Sequence, residues 1–332
     1  MKLPIFAECV GDVFFYSLAR FALLEALNSI VIQPGDAVLI PEFICRELIA
    51  SIHLAGALPI FYPVDDELNP KYLPTDHRVK AVLAINYFGF AQDLRLFREY
   101  CQSHKVILIE DNAHGFLSRD SFGKLLGRRG DIGILSIRKT FSLLDGGALL
   151  FNNQDIVYNL PKKVDFRNDS LPLRYTLKCL VRSIKNKCGI DLKTQSEQAV
   201  RFARKLFTGN EFPLAEDDCE VVIAGSRPMH QASVEELCKQ DFIMEVKRRR
   251  ELYKFFSEKL INENIKPVFP FLPVGTAPYG YAFRADMRMG EKIALIAKKM
   301  GFTCPVWPEL PSSVLSSAPV HYRNVYWVNF LC

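Results

Sequence analysis

The sequence predicts an α/β fold built on a mostly parallel central sheet, with a smaller α+β domain at the C-terminal end. Three observations predict it. The first half alternates short aliphatic runs with amphipathic patterns, the order of strands and covering helices in a layered α/β sheet. Beyond about residue 158 this strand signal stops and the periodicity becomes helical. With 332 residues, 49% hydrophobic and 24% charged, the chain is long and apolar enough to bury a core spread over about two domains.

The predicted strands are 37–41, 58–62, 81–86, 106–110, 132–136 and 148–151, each aliphatic and too short for a helix. Segments 18–30, 46–55 and 93–103 carry apolar residues at three-to-four spacing and read as covering helices. Pro34-Gly35-Asp36 is the turn into the first of these strands. Leu173, Leu177, Leu180, Val181, Ile184 and Cys188 mark one face of a further helix, beside which Arg174, Lys178 and Arg182 recur every four residues. A long helix is expected from about 233 to 260 and another over 289–300. Prolines 305, 308, 311 and 319 then mark loops before a closing strand over 325–330. The expected domains are therefore 1–228, which includes the basic helical segment 158–210, and 229–332.

Composition excludes several classes of function. No apolar run is long enough to span a bilayer. The N-terminal stretch is interrupted by Glu8 and Asp12 and lacks the order of a secretory leader, so a mature, cytoplasmic protein is expected. Nine scattered cysteines, without a Cys-x-x-Cys pair or a histidine at metal-ligand spacing, read as reduced thiols and not as a metal site. The net charge of +5 is too small to indicate nucleic acid. It is also local: residues 158–210 hold 12 basic and 4 acidic residues, against 30 and 33 in the rest of the chain. The helix over 171–188 could contact an anionic surface or a diphosphate. Lys247-Arg-Arg-Arg250 reads as a solvated helix face.

In an open α/β sheet, ligands bind beyond the carboxyl ends of the strands. One strand ends in Glu110-Asp111 and leads to His114. The next ends at Ser136 and leads to Arg138-Lys139, and Asp145-Gly146-Gly147 turns into another strand. An acid, an imidazole, a hydroxyl and an amine are thus expected at one sheet edge. A carboxylate can hold a proton on a heteroaromatic nitrogen, and a desolvated lysine can attack an aldehyde. Pyridoxal 5'-phosphate (PLP) calls for that pair.

These residues resemble, in order, the DegT/DnrJ/StrS family of PLP-dependent aminotransferases, known for nucleotide-sugar substrates. Ala19-Arg20-Phe-Ala-Leu, 33–41 and 55–59 resemble its opening segments. Asn86-Tyr-Phe-Gly89 with Asp93 is similar to its His-x-Tyr-Gly segment, and 109–114 to its Glu-Asp-x-Ala-Gln or His signature. Ser136, Lys139 and 145–147 follow, then Arg227, Met229, 248–253 and Trp307-Pro-Glu-Leu310. The resemblance implies a fold type I, aspartate aminotransferase-like transferase that works as a homodimer, taking an amino group from an amino acid such as glutamate to a keto-sugar in polysaccharide or glycoconjugate biosynthesis. It implies that Lys139 forms the Schiff base with PLP and carries the proton, that Asp111 pairs with the ring nitrogen, and that His114 neighbours the ring hydroxyl. Ser136 binds the phosphate in this scheme, near the helix start around Ser17. Cys45 falls where the family has the aromatic that stacks on the ring.

Some positions depart from the family pattern. Asn86 replaces its histidine, Leu18 or Ala19 its small glycine, and the Ser136-to-Lys139 spacing is shorter, which could displace Lys139. With Cys45 in the stacking position, Phe43 is the alternative ring partner. Two other readings stay open: a family fold that binds no cofactor and serves as a binding subunit, and a PLP-dependent lyase.

Overall fold

The computed structural model describes residues 6, 11–173, 175–176, 218–261, 263 and 265–331. Residues 1–167 and 218–332 make one compact unit, and 168–217 a second. The basic face predicted over 174–188 lies outside the described residues apart from positions 175 and 176.

Seven strands form the central sheet: β1 (Val13–Tyr16), β2 (Ala37–Pro41), β3 (Leu58–Tyr62), β4 (Val79–Ile85), β5 (Ile107–Asn112), β6 (Ile132–Leu135) and β7 (Gly147–Phe151). Their order is β1-β7-β6-β5-β4-β2-β3, parallel from β3 through β6, with β7 antiparallel to both neighbours. Chain direction therefore brings the ends of β1, β2, β4, β5 and β6, together with the start of β7, to one edge. β2, β4 and β7 are almost wholly buried, which is why they read as continuous aliphatic runs and not as alternating ones.

β1 is absent from the predicted set. It has only four residues, alternates between half-buried and buried, and owes its existence to pairing with β7, far along the chain. Helix α1 (Ala19–Ser29) buries Phe21 through Leu27 and Ser29, so it is interior and not a half-covering helix. By contrast α3 (Arg95–His104) buries only Phe97 and Tyr100, one turn apart, and is a surface helix. Between them in sequence lies the short α2 (Ile49–Leu54).

The predicted helix over 233–260 is two helices, α4 (Gln231–Leu237) and α5 (Phe242–Ile261). The break has a local cause. Gln240 folds its amide back on the Glu236 carbonyl at 3.0 Å, and Asp241 accepts the Met244 N–H at 3.0 Å, which starts a new helix. A second, three-stranded antiparallel sheet, β10-β9-β8, combines β8 (Lys266–Pro267), β9 (Gly280–Arg284) and β10 (Val325–Asn329). Only β10 was predicted. Helix α6 (Met287–Lys299) starts at Asp286, which accepts the Met289 N–H, and buries Gly290, Ile293 and Ala297. Short helices α7 (Ser312–Leu315) and α8 (Val320–Arg323) precede β10.

The pleat of β5 gives its consecutive acids opposite roles. Glu110, fully buried, faces a polar knot: it accepts from Arg129 Nε at 2.7 Å, the Arg129 N–H at 2.7 Å and Asn86 Nδ2 at 2.8 Å. Arg129 also donates to Asn86 Oδ1 at 2.8 Å, so Asn86 bridges the pair. Removing one member leaves the other charge buried and unpaired. Glu110→Ala should therefore lower stability by about 3–5 kcal/mol, read as a fall in the urea midpoint. Asp93→Ala, at an exposed pair with Arg95, should leave the midpoint nearly unchanged.

Candidate active site

The strand ends enclose a cavity whose wall includes Asp111, Ala113 and His114 after β5, Ser136, Arg138 and Lys139 after β6, Ile44, Cys45, Glu47 and Leu48 after β2, the start of α1 at Leu18, Ala19 and Arg20, and Trp307. Of the sequence-predicted residues, Asp111, His114, Ser136, Lys139 and Cys45 are brought together here.

Ser17 is not. Its hydroxyl donates to the Ser226 carbonyl, its N–H to the Arg227 carbonyl at 2.9 Å, and its carbonyl accepts from the Gly146 N–H at 2.7 Å. With Ser17 tied between these segments, Leu18, Ala19 and Arg20 face the space instead. Phe43 is likewise turned away, fully buried against Tyr87, Trp307 and Tyr322, and is no ring partner. Trp307 is the aromatic side chain in the cavity wall, edge-on to His114 at 5.0 Å.

The short Ser136-to-Lys139 spacing does not displace Lys139. Residues Ile137–Lys139 form a turn of 3₁₀ helix, closed by Lys139 N–H to the Ser136 carbonyl at 3.2 Å, and this turn sets both side chains in one wall. Lys139 Nζ lies 3.2 Å from His114 Nε2. The other ring nitrogen, Nδ1, accepts the Phe88 N–H at 3.3 Å and so carries no proton. The imidazole proton then resides on Nε2 and points at Nζ, a contact that is favourable only if Lys139 presents a lone pair. The hydrogen-bond pattern thus favours the neutral amine over the ammonium.

The surroundings act in the same direction. Burial holds Lys139 below its ordinary range, with Arg138 adding to the effect while Asp111 and Glu47 oppose it. Burial keeps His114 far below the usual imidazole value, hence neutral. The ring is fixed by stacking on Tyr279 at 4.5 Å, which stacks in turn on Trp327 at 4.5 Å. Burial raises the Asp111 carboxyl, while the Ala113 N–H at 2.8 Å pulls it down. Burial also raises the Cys45 thiol, which is a neutral part of the wall.

This donor set fits PLP. Asp111 would hold a proton on the ring nitrogen, Lys139 offers an amine to the aldehyde, and Ser136 with the first turn of α1 offers donors to the phosphate. A buried guanidinium nitrogen, Arg138 Nε, has no hydrogen-bond partner in the same wall, so the cavity lacks an anion and not a cation.

Residues 15–168 match the DegT/DnrJ/EryC1/StrS aminotransferase family. The matched segment runs from β1 past β7 and holds every wall residue named above except Trp307. It is the family that the sequence motifs resemble. Among relatives, the chain is 31% identical over 142 residues to the GDP-perosamine synthase of Vibrio cholerae, covering 41% of this chain and 38% of that protein. It is 30% identical over 137 residues to the UDP-N-acetyl-3-dehydro-alpha-D-glucosamine 3-aminotransferase of Acidithiobacillus ferrooxidans, covering 39% and 37%. The alignments thus span about two fifths of the length of these curated relatives. The fold extends the likeness over nearly the whole chain. The Streptococcus pneumoniae protein Spr1654, solved in a PMP form, superposes with a TM-score of 0.66 at 14% identity, covering 98% of this chain and 85% of that one.

Arg20, Arg138 and Trp307 are wall residues that sequence reasoning did not assign to the site. Arg20 lies in a segment that resembles the family and Arg138 between Ser136 and Lys139, and the placement of a guanidinium beside the candidate lysine was the available signal. Trp307 is distant in sequence from the strand ends, and its signal was the Trp307-Pro-Glu-Leu310 segment that resembles the family.

A lysine whose folded value is lowered makes folding cost a proton below its ordinary 10.5. Lys139→Met should therefore raise the thermal midpoint at neutral pH. The gain should shrink as pH rises toward 10.5, where the unfolded lysine also becomes neutral; a constant or growing gain would contradict the assignment.

Proposed function

We propose that this chain is a PLP-dependent aminotransferase that moves an amino group from an amino acid, with glutamate as the expected donor, to a keto-sugar carried on a nucleotide. The observation that carries the reading is the Lys139 amine, 3.2 Å from His114 Nε2 and in one cavity with the buried carboxyl of Asp111. The names of the two relatives, a GDP-perosamine synthase and a UDP-linked sugar 3-aminotransferase, support the acceptor class. A homodimer, a cytoplasmic setting and a role in polysaccharide or glycoconjugate synthesis belong to the same proposal, as does the division into 1–228 and 229–332. All five described cysteines are free, which suits a reducing compartment.

When bound, PLP supplies an electron sink for charge developing at the substrate α-carbon. The chain's own residues do the rest. Asp111 would hold a proton on the ring nitrogen. The Lys139 amine would take the proton from the substrate carbon and return it later in the transfer. His114 Nε2, 3.2 Å from Nζ, would keep that amine aimed into the cavity. Leu18, Ile44, Leu48 and Ile134 contribute apolar wall that excludes water from the reacting atoms.

The test is a single half-transfer. PLP-loaded protein given L-glutamate without acceptor should release stoichiometric 2-oxoglutarate, and Lys139→Ala should release none. Release of carbon dioxide from the amino acid instead would replace transamination with lyase chemistry.

A further inference from the structure

Two guanidinium groups, those of Arg20 and Arg138, line the cavity beside Ser136 and the start of α1. They are not equivalent. Arg20 Nη1 is balanced by Glu47 at 3.3 Å. Arg138 has no such partner among the described residues, and its buried Nε donates to nothing. The acids that act on Arg138 from a distance are already engaged. Glu47 holds Arg20, and Asp145 accepts from Arg167 at 2.8 Å, from Ser233 at 2.7 Å and from the His230 N–H at 3.1 Å. A buried guanidinium nitrogen without an acceptor is costly, and a second cation beside it adds repulsion.

The backbone around it is arranged to the same end. The residue before α1 is Leu18, which has no polar side chain, and no side chain caps the helix, so its first-turn N–H groups lack side-chain acceptors. The Asp145-Gly146-Gly147 turn fastens this helix start beside Arg138: Gly146 N–H donates to the Ser17 carbonyl at 2.7 Å, and the Gly146 carbonyl accepts from the Arg138 N–H at 3.2 Å. A Cβ on Gly147 would lie 2.5 Å from Ala19 N, so only glycine allows this approach.

We propose that Arg138, with Arg20, Ser136 and the uncapped start of α1, forms a phosphate-monoester seat in which Arg138 is the principal counter-charge supplied from within this chain. Applied to the cofactor, the inference rests on the PLP reading above. It makes Arg138 a binding residue for the phosphate and not for the ring.

The test compares PLP with pyridoxal, which lacks the phosphate, by spectroscopic titration of the apoprotein. Arg138→Gln should weaken PLP by about tenfold or more and leave pyridoxal affinity unchanged, while Arg138→Lys should recover part of the loss. Unchanged PLP affinity, or equal loss for PLP and pyridoxal, would overturn the seat. A second arm does not depend on the cofactor. Inorganic phosphate should raise the thermal midpoint of the wild-type apoprotein and not that of Arg138→Gln. If wild type bound neither PLP nor pyridoxal, the PLP reading would fail by itself, and the phosphate arm would decide the seat: a shift lost in Arg138→Gln upholds it, and no shift in wild type overturns it.

Discussion

The site depends on the pleat of a single buried strand. Successive side chains of β5 point to opposite faces, so Glu110 enters the Arg129–Asn86 knot while Asp111 enters the cavity. A one-residue slip of β5 would exchange the two acids, placing the paired carboxylate in the cavity and the other against Arg129. The knot also spans β4 and the segment before β6. It therefore fixes the register of the strands whose ends carry Asn86, Asp111 and Ser136.

The cavity gathers groups whose charged forms burial disfavours: Lys139, Asp111, His114 and Arg138. Such a cluster opposes folding and is sustained by the aliphatic core around it. Three of them, Lys139, Asp111 and Arg138, gain from a ligand of the matching kind. An aldehyde suits the neutral amine, a protonated ring nitrogen suits the carboxylate, and a dianion suits the guanidinium. These three needs coincide in one small molecule, which is why the donor set is more informative than any single residue.

The interior parallel strands β2, β4, β5 and β6 were legible because burial on both faces writes them as aliphatic runs. Asp111, His114, Ser136, Lys139 and Cys45 were legible because a resembled motif placed them at strand ends. What stayed hidden depends on distant partners. β1 exists through β7, β8 through β9, and Ser17 is drawn from the cavity by Ser226 and Arg227, all far along the chain. The break before α5 was missed because apolar periodicity resumes across it, and only the turn chemistry of Gln240 and Asp241 ends one helix and begins the next. The shortened spacing before Lys139 looked disruptive by counting residues; a 3₁₀ turn absorbs it.

The site turns on Lys139 as the amine that would bind PLP. The most direct measurement treats purified protein with PLP, reduces it with borohydride and maps the retained cofactor by peptide mass spectrometry. One modified peptide is expected, with the cofactor on Lys139, and no such product from Lys139→Ala. Cofactor scattered over exposed lysines, or the same product in the variant, would contradict it.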